Sequence, residues 1–173
     1  MADRSSPLQN IYGLTMLRLV VVLPLQPLAD GVGFSLRDWP LHLTVAPTFR
    51  VKADLTGVVS AITPSLSAQP VLRVRAGRDE GFGRSMNRPA TVVDPSVDLT
   101  DLHTRLVAAL RQSGAEFDHP DFVDAGYRAH VTKTRVESVV EGDVLELRQA
   151  AIVDMEPQGD RRLRRVVWTT LLR

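Results

Sequence analysis

Pro40-Leu41-His42-Leu43-Thr44-Val45 and Arg128-Ala129-His130-Val131-Thr132-Lys133 are two segments with the same pattern, 88 residues apart. In each, a threonine follows a histidine at the second position, with an apolar residue between them. Neighbouring side chains on a β-strand point to opposite faces, so each His and Thr would share a face while Leu43 or Val131 turns to the core. The pattern predicts two strands whose imidazoles and hydroxyls, facing across a groove, would surround one phosphate with an acid, a base and two donors.

Length and composition indicate an ordinary globular domain. The chain has 173 residues, of which 44% are apolar and 24% charged. We expect one domain over 1–173 with two lobes, and a flexible tail at 1–12. The formal net charge is +1, which suits a small phosphorylated ligand or a short oligonucleotide better than a long duplex. The chain has no cysteine, which excludes disulfides, a thiol nucleophile and a cysteine-based zinc site.

The beginning of the chain does not have the layout of a signal peptide. Residues 1–7 are polar, and the apolar run from Met16 to Leu25 contains Arg18 and Pro24. That run is too short to span a bilayer and predicts a buried strand. We therefore expect a cytoplasmic protein without a membrane partner. The sequence does not indicate the oligomeric state.

Periodicity and turn residues predict strands with one helix in each half. The first helix is expected around Leu55–Ile62, capped by Asp54 and stopped or kinked by Pro64. The second helix is expected around Leu99–Leu110, opened by Ser96 or Asp98 and closed by Gly114. A glycine-bearing loop is predicted at 77–87, and the strands are predicted at 16–23, 41–47, 71–76, 89–93, 127–136, 144–154 and 163–172. This order predicts an α+β fold, without a dinucleotide fingerprint or a phosphate-binding P-loop.

The motifs His42-Leu43-Thr44-Val45 and His130-Val131-Thr132 resemble those that define the 2H phosphoesterase superfamily. This group includes bacterial 2′-5′ RNA ligase-like proteins and 2′,3′-cyclic phosphodiesterases. Arg135 lies where the ligase-like branch often has a basic residue. The resemblance implies a bilobal fold in which two antiparallel sheets face a central cleft, with the helices outside.

The resemblance also implies a reaction that needs no metal or other cofactor. By analogy, His42 and His130 divide the acid and base roles, while Thr44 and Thr132 hydrogen-bond the non-bridging phosphate oxygens. The expected substrate carries a 2′,3′-cyclic phosphate or a 2′-5′ linkage, on a nucleotide or an RNA end. Three alternatives stay open: hydrolysis of cyclic nucleotide signals, RNA-end ligation, and a module that binds phosphorylated ligands or RNA without turnover.

Four further residues are candidates for substrate binding. Trp39 and Tyr127 precede the motif histidines, where they could stack on a base, although packing at a strand start explains them equally well. Phe82 and Arg84 lie in the predicted 77–87 loop, where a lid would bring an aromatic ring to a base and a guanidinium to a phosphate.

Two other histidines have competing interpretations. His119 lies among Asp118, Asp121 and Asp124, a composition that suits a divalent metal but is also typical of turns. We predict a turn and no metal site. His103 lies within the second predicted helix, where we expect a structural or solvated role.

Overall fold

Ten strands and two helices form the fold in the computed structural model, which describes residues 15–83 and 85–173. The helices are α1 (Leu55–Ser67) and α2 (Val97–Gln112). The strands are β1 (Thr15–Pro24), β2 (Gly33–Ser35), β3 (His42–Ala53), β4 (Leu72–Phe82), β5 (Arg88–Val93), β6 (Glu116–Phe117), β7 (His130–Thr132), β8 (Val144–Leu147), β9 (Gln149–Asp154) and β10 (Leu163–Leu171). The predicted tail at 1–12 lies outside the described residues.

The strands form one antiparallel path with two halves. The order is β2-β10-β9-β1-β3-β7-β5-β4-β8, and β6 pairs separately with β3. The halves meet where β3 pairs with β7 through the single residue pair Leu43 and Val131. These are the central residues of the two His-x-Thr segments. The α+β class and the antiparallel pairing are confirmed, and the two expected sheets join edge to edge at the motifs.

The main core lies between this sheet and the two helices. Leu43 and Val131 are buried in it, together with Ile62 of α1 and Leu106 of α2. Because side chains alternate along a strand, the flanking His and Thr residues face away from the helices. A smaller apolar cluster, which includes Val22, lies against the loop that carries Trp39.

Both helix starts follow the capping rules. The Asp54 carboxylate accepts a hydrogen bond from the Gly57 amide at 2.7 Å, and the Ser96 hydroxyl accepts one from the Leu99 amide at 3.3 Å. The end of α1 differs from the prediction, because the helix continues through Pro64 to Ser67. Burial of Leu66 in the core favours this last turn despite the missing amide hydrogen of the proline.

The predicted loop at 77–87 is wrong over its first half. β4 continues to Phe82 after a bulge between Ala76 and Asp79, and its pairing with β5 satisfies the backbone of this stretch. Only residues 83–87 connect the two strands, and Arg84 lies outside the described residues. Phe82 is therefore held on a strand rather than on a lid.

Three predicted strands have different bounds. The first motif strand, predicted at 41–47, continues to Ala53 as β3. The second motif strand is limited to His130–Thr132, since short 3-10 turns occupy part of the segment before it. The predicted strand at 144–154 is two strands separated by Arg148. β8 lies at the free edge of one half and exposes alternate residues, while β9 lies inside the other half and is buried on both faces. Within the described residues, no helix is long and apolar enough to cross a membrane.

Leu43→Ala should lower the free energy of unfolding by about 3 kcal/mol, because it leaves a cavity where the two halves join. Leu163→Ala is the control, since that side chain is 45% exposed and should cost less than about 1 kcal/mol. Urea unfolding of both variants measures the difference. Equal losses would contradict a packed junction at Leu43.

Candidate active site

The two His-x-Thr segments meet on one face of the sheet. In an antiparallel pair, the residue before a paired position lies beside the residue after its partner. The pairing of Leu43 with Val131 therefore sets His42 beside Thr132 and Thr44 beside His130. The two imidazoles are diagonal neighbours, close enough for charge on His130 to lower the pKa of His42. The predicted grouping of these four side chains is what the strand register produces.

Both imidazoles are held in the same way. His42 Nδ1 lies 2.8 Å from the Pro40 carbonyl oxygen, and His130 Nδ1 lies 2.8 Å from the Arg128 carbonyl oxygen. A carbonyl only accepts, so Nδ1 carries the hydrogen and donates it in both residues. In the neutral rings Nε2 is left with its lone pair, free to take a proton from a ligand. The geometry provides two equivalent proton-transfer atoms.

An aromatic ring packs on each imidazole. The Trp39 ring centroid is 4.2 Å from that of His42, and the Phe82 centroid is 3.9 Å from that of His130. An arginine lies over each aromatic ring in turn: the Arg164 guanidinium carbon is 6.0 Å from the Trp39 centroid, and that of Arg128 is 5.1 Å from the Phe82 centroid. We call these two arrangements the arginine–aromatic–imidazole stacks. They restrict the orientation of both imidazoles.

The two arginines have different surroundings. Arg128 is exposed and forms an ion pair with Glu80, which also binds Arg78. These hydrogen bonds lower the pKa of the Glu80 carboxyl and keep it charged. Arg164 is 7% exposed and donates from one nitrogen to the carbonyls of residues 155, 161 and 163. Burial lowers the pKa of Arg164.

Burial also favours the neutral form of both imidazoles. The pKa of His42 falls from 6.5 to about 4. Burial is the largest cause, the hydrogen bond to the Pro40 carbonyl opposes it, and charge on His130 adds to the lowering. Burial lowers the pKa of His130 in the same direction. At neutral pH two bases therefore face the same space. A bound phosphate would bring negative charge beside them and favour a proton on one ring.

The other predicted binding residues have different positions. Tyr127 stacks on His103 and donates its hydroxyl hydrogen to the Thr44 carbonyl, so it contacts the motif strand from the protein side. Arg135 is exposed beyond the second motif and has no ion pair among the described residues. Arg84 lies outside those residues. Of the five predicted binding side chains, Trp39 and Phe82 are the two that contact a motif histidine.

The acidic segment that contains His119 binds arginines. Asp118 accepts hydrogen bonds from Arg18 and Arg50, and Asp124 forms an ion pair with Arg111. Within residues 15–83 and 85–173, no group of three or more His, Asp or Glu side chains is arranged to hold a metal ion.

Sequence reasoning missed Arg128 and Arg164. Arg128 lies two residues before His130 within the predicted strand at 127–136, and this spacing could have indicated a shared face. No comparable signal marks Arg164, which reaches Trp39 from β10, more than 100 residues along the chain.

Comparisons with known proteins agree with this architecture. A family model described as the 2′-5′ RNA ligase superfamily matches residues 28–160. Among solved structures, a phosphoesterase matches with a TM-score of 0.56 and 16% identity, covering 90% of this chain and 98% of that one. E. coli LigT complexed with 3′-AMP matches with a TM-score of 0.55 and 15% identity over 91% and 99% of the two chains. The complex of LigT with NADP+ gives 0.54 and 16% over 91% and 98%. No curated protein sequence matches significantly.

The shifted pKa of His42 predicts that acid destabilises the fold at mild pH. Its pKa is about 4 in the folded protein against 6.5 ordinarily, so the unfolded chain binds more protons between these values. The free energy of unfolding should be insensitive to this group above pH 7 and should lose about 2 kcal/mol from it between pH 7 and pH 5. Urea unfolding at several pH values measures this loss.

His42→Asn is the matched variant, because its amide can still donate to the Pro40 carbonyl but does not titrate. The free energy of unfolding of this variant should depend less on pH between pH 7 and pH 5. An identical dependence in the parent and the variant would contradict the lowered pKa.

Proposed function

Because the chain belongs to the 2′-5′ RNA ligase superfamily, we propose that it is a phosphodiesterase whose substrate carries a ribose 2′,3′-cyclic phosphate or a 2′-5′ phosphodiester. The observation that carries the proposal is the pair of Nδ1-anchored imidazoles on one sheet face, each beside a threonine. Two imidazoles can supply a base and an acid to the same phosphorus atom. The substrate is a nucleotide or the end of a short RNA.

For a cyclic phosphate, the proposed reaction is an in-line hydrolysis. The neutral imidazole takes a proton at Nε2 from water as the water oxygen bonds to phosphorus. The bond from phosphorus to one ribose oxygen breaks, and the protonated imidazole gives that oxygen its proton. The product is a phosphate monoester with a free ribose hydroxyl. The two rings have then exchanged protonation states, and proton exchange with solvent resets them.

For a 2′-5′ linkage, the neighbouring ribose hydroxyl replaces water. One imidazole removes the proton from the 3′ oxygen, which attacks phosphorus, and the other protonates the departing 5′ oxygen. Thr44 and Thr132 hydrogen-bond the non-bridging oxygens, where charge accumulates in the transition state. Histidine performs both proton transfers, so the proposed chemistry is metal independent.

The arginine–aromatic–imidazole stacks suit this role. Each imidazole must keep Nε2 directed at the phosphate while its proton comes and goes, and the ring packed on it limits its rotation. Arg128, at the outer end of the second stack, shares the Glu80 carboxylate with Arg78, so this group of two arginines and one carboxylate keeps a net positive charge that would attract a phosphate. We include Arg135, exposed and without an ion pair among the described residues, as a second attracting charge.

The solved neighbours support the choice of substrate class. E. coli LigT has been crystallised with 3′-AMP and with NADP+. These ligands carry a phosphate on a ribose 3′ oxygen and a ribose 2′ oxygen, the two oxygens that a 2′,3′-cyclic phosphate joins. Cyclic dinucleotide hydrolysis and RNA-end ligation would use the same acid and base. The first is an outcome of the substrate test below, and the second would require two RNA ends as substrates.

The protein should convert at least one member of a panel of 2′,3′-cyclic nucleotides, 2′-5′ oligoadenylates and cyclic dinucleotides in the presence of EDTA. Product analysis by chromatography identifies the bond that is cleaved. Binding without product across the panel would favour the non-enzymatic alternative. Turnover abolished by EDTA and restored by a divalent metal would contradict the metal-independent step.

His42→Asn and His130→Asn should each lower kcat/KM by at least about 100-fold, because each removes one proton-transfer group. The parent should show a bell-shaped pH profile that each variant reduces to one limb. His119→Gln is the matched control, since His119 is exposed and contacts neither motif. Near-parent activity in both motif variants would exclude the proposed mechanism.

A further inference from the structure

The strand that carries His42 and Thr44 is irregular directly after its motif. Thr44 and Ala46 pair with consecutive residues of β1, so Val45 is an extra residue that forms a β-bulge. On the edge toward β7, among the described residues, strand pairing stops at Leu43 and resumes at Phe49. A bulge changes the direction of nearby side chains, and a gap in pairing leaves backbone groups that need other partners.

Two side chains fill this gap. The Tyr127 hydroxyl donates to the Thr44 carbonyl oxygen at 2.9 Å, and His103 Nδ1 donates to the Val45 carbonyl oxygen at 2.7 Å. The two rings are parallel within 5°, with centroids 3.8 Å apart. His103 is fully buried. Burial raises the pKa of Tyr127, so its hydroxyl remains a donor at neutral pH.

The other side of His103 holds the segment that leads to the second motif. The backbone amide of Asp124 donates to His103 Nε2 at 3.1 Å. Asp124 has a left-handed φ of +55°, which asparagine and aspartate adopt more readily than most residues. Its carboxylate is held by Arg111, about two turns along α2 from His103. One helix thereby fixes the bulge of β3 and the turn before β7.

We propose that His103 and Tyr127 are positioning residues. They determine the direction of the Thr44 side chain and the distance between the two His-x-Thr strands. Neither side chain faces the proposed phosphate; both act through backbone carbonyls of the bulge. Because an amide hydrogen only donates and a carbonyl only accepts, this bracing requires neutral His103 with its hydrogen on Nδ1. The kinetic test rests on the proposed function, whereas the structural test does not.

Tyr127→Phe is the most selective test, because it keeps the stacked ring and removes one hydroxyl. We expect kcat to fall about tenfold with less than about a twofold change in KM, since the loss affects alignment in the transition state. The same substitution in a Thr44→Val background should change kcat less than about twofold. Residues that act through one another are non-additive in a double-mutant cycle, whereas general destabilisation is additive.

Two variants of His103 separate its hydrogen bonds from its volume. The His103→Asn amide can still donate to the Val45 carbonyl, whereas His103→Phe keeps a stacked ring without any donor. We expect Asn to retain more of kcat than Phe. Ile62→Val in α1 is the control for loss of stability, because that side chain is fully buried and makes no hydrogen bond to the bulge. Its melting temperature should fall without a change in kcat.

A measurement without substrate decides the inference independently. Tyr127→Phe should shift the NMR resonances of the Thr44 methyl group and the His42 ring, and Ile62→Val should leave both in place. Unshifted resonances in Tyr127→Phe, or additive losses of kcat in the double-mutant cycle, would overturn the positioning role. If the parent cleaves no substrate in the panel, the proposed function fails, and the resonances alone decide whether His103 and Tyr127 set the geometry.

Discussion

One antiparallel contact, Leu43 against Val131, determines where every candidate catalytic group lies. The two apolar side chains occupy the core between the sheet and the helices, so their neighbours along each strand must face the other way. A slip of β7 by one residue would turn His130 and Thr132 into that core while His42 and Thr44 stayed on the opposite face. The burial of this pair therefore stabilises the fold and selects the face on which chemistry is proposed.

The surroundings of His42 and His130, on either side of this contact, are similar. Each histidine donates Nδ1–H to the carbonyl two residues before it, packs on an aromatic ring, and has an arginine beyond that ring. The similarity ends at the arginines, since Arg128 is exposed and paired with Glu80 while Arg164 is buried. This difference, together with the stronger burial effect on His42, gives the two imidazoles unequal environments.

Local pattern was sufficient to predict that both motifs lie on strands, the N-terminal cap of each helix, and the placement of His42, Thr44, His130 and Thr132 on one face. The pattern failed where tertiary context decides. Pro64 remains helical because Leu66 is buried, and 77–82 is a strand because β5 supplies its backbone partners. The place of Tyr127 before His130 was equally consistent with base binding and with packing, and its ring packs on His103, 24 residues earlier on α2. Contacts between distant segments leave no local periodicity to detect.

Arg148 alone separates β8 from β9, although these strands belong to opposite halves of the path. Consecutive Cα atoms are 3.8 Å apart. The last residue of the edge strand β8 is therefore joined to the first residue of the interior strand β9 by only two Cα–Cα steps. The chain therefore passes from one half to the other here without a loop. A movement of one half against the other would have to be absorbed by the backbone dihedrals at Arg148, because no loop lies between the two strands.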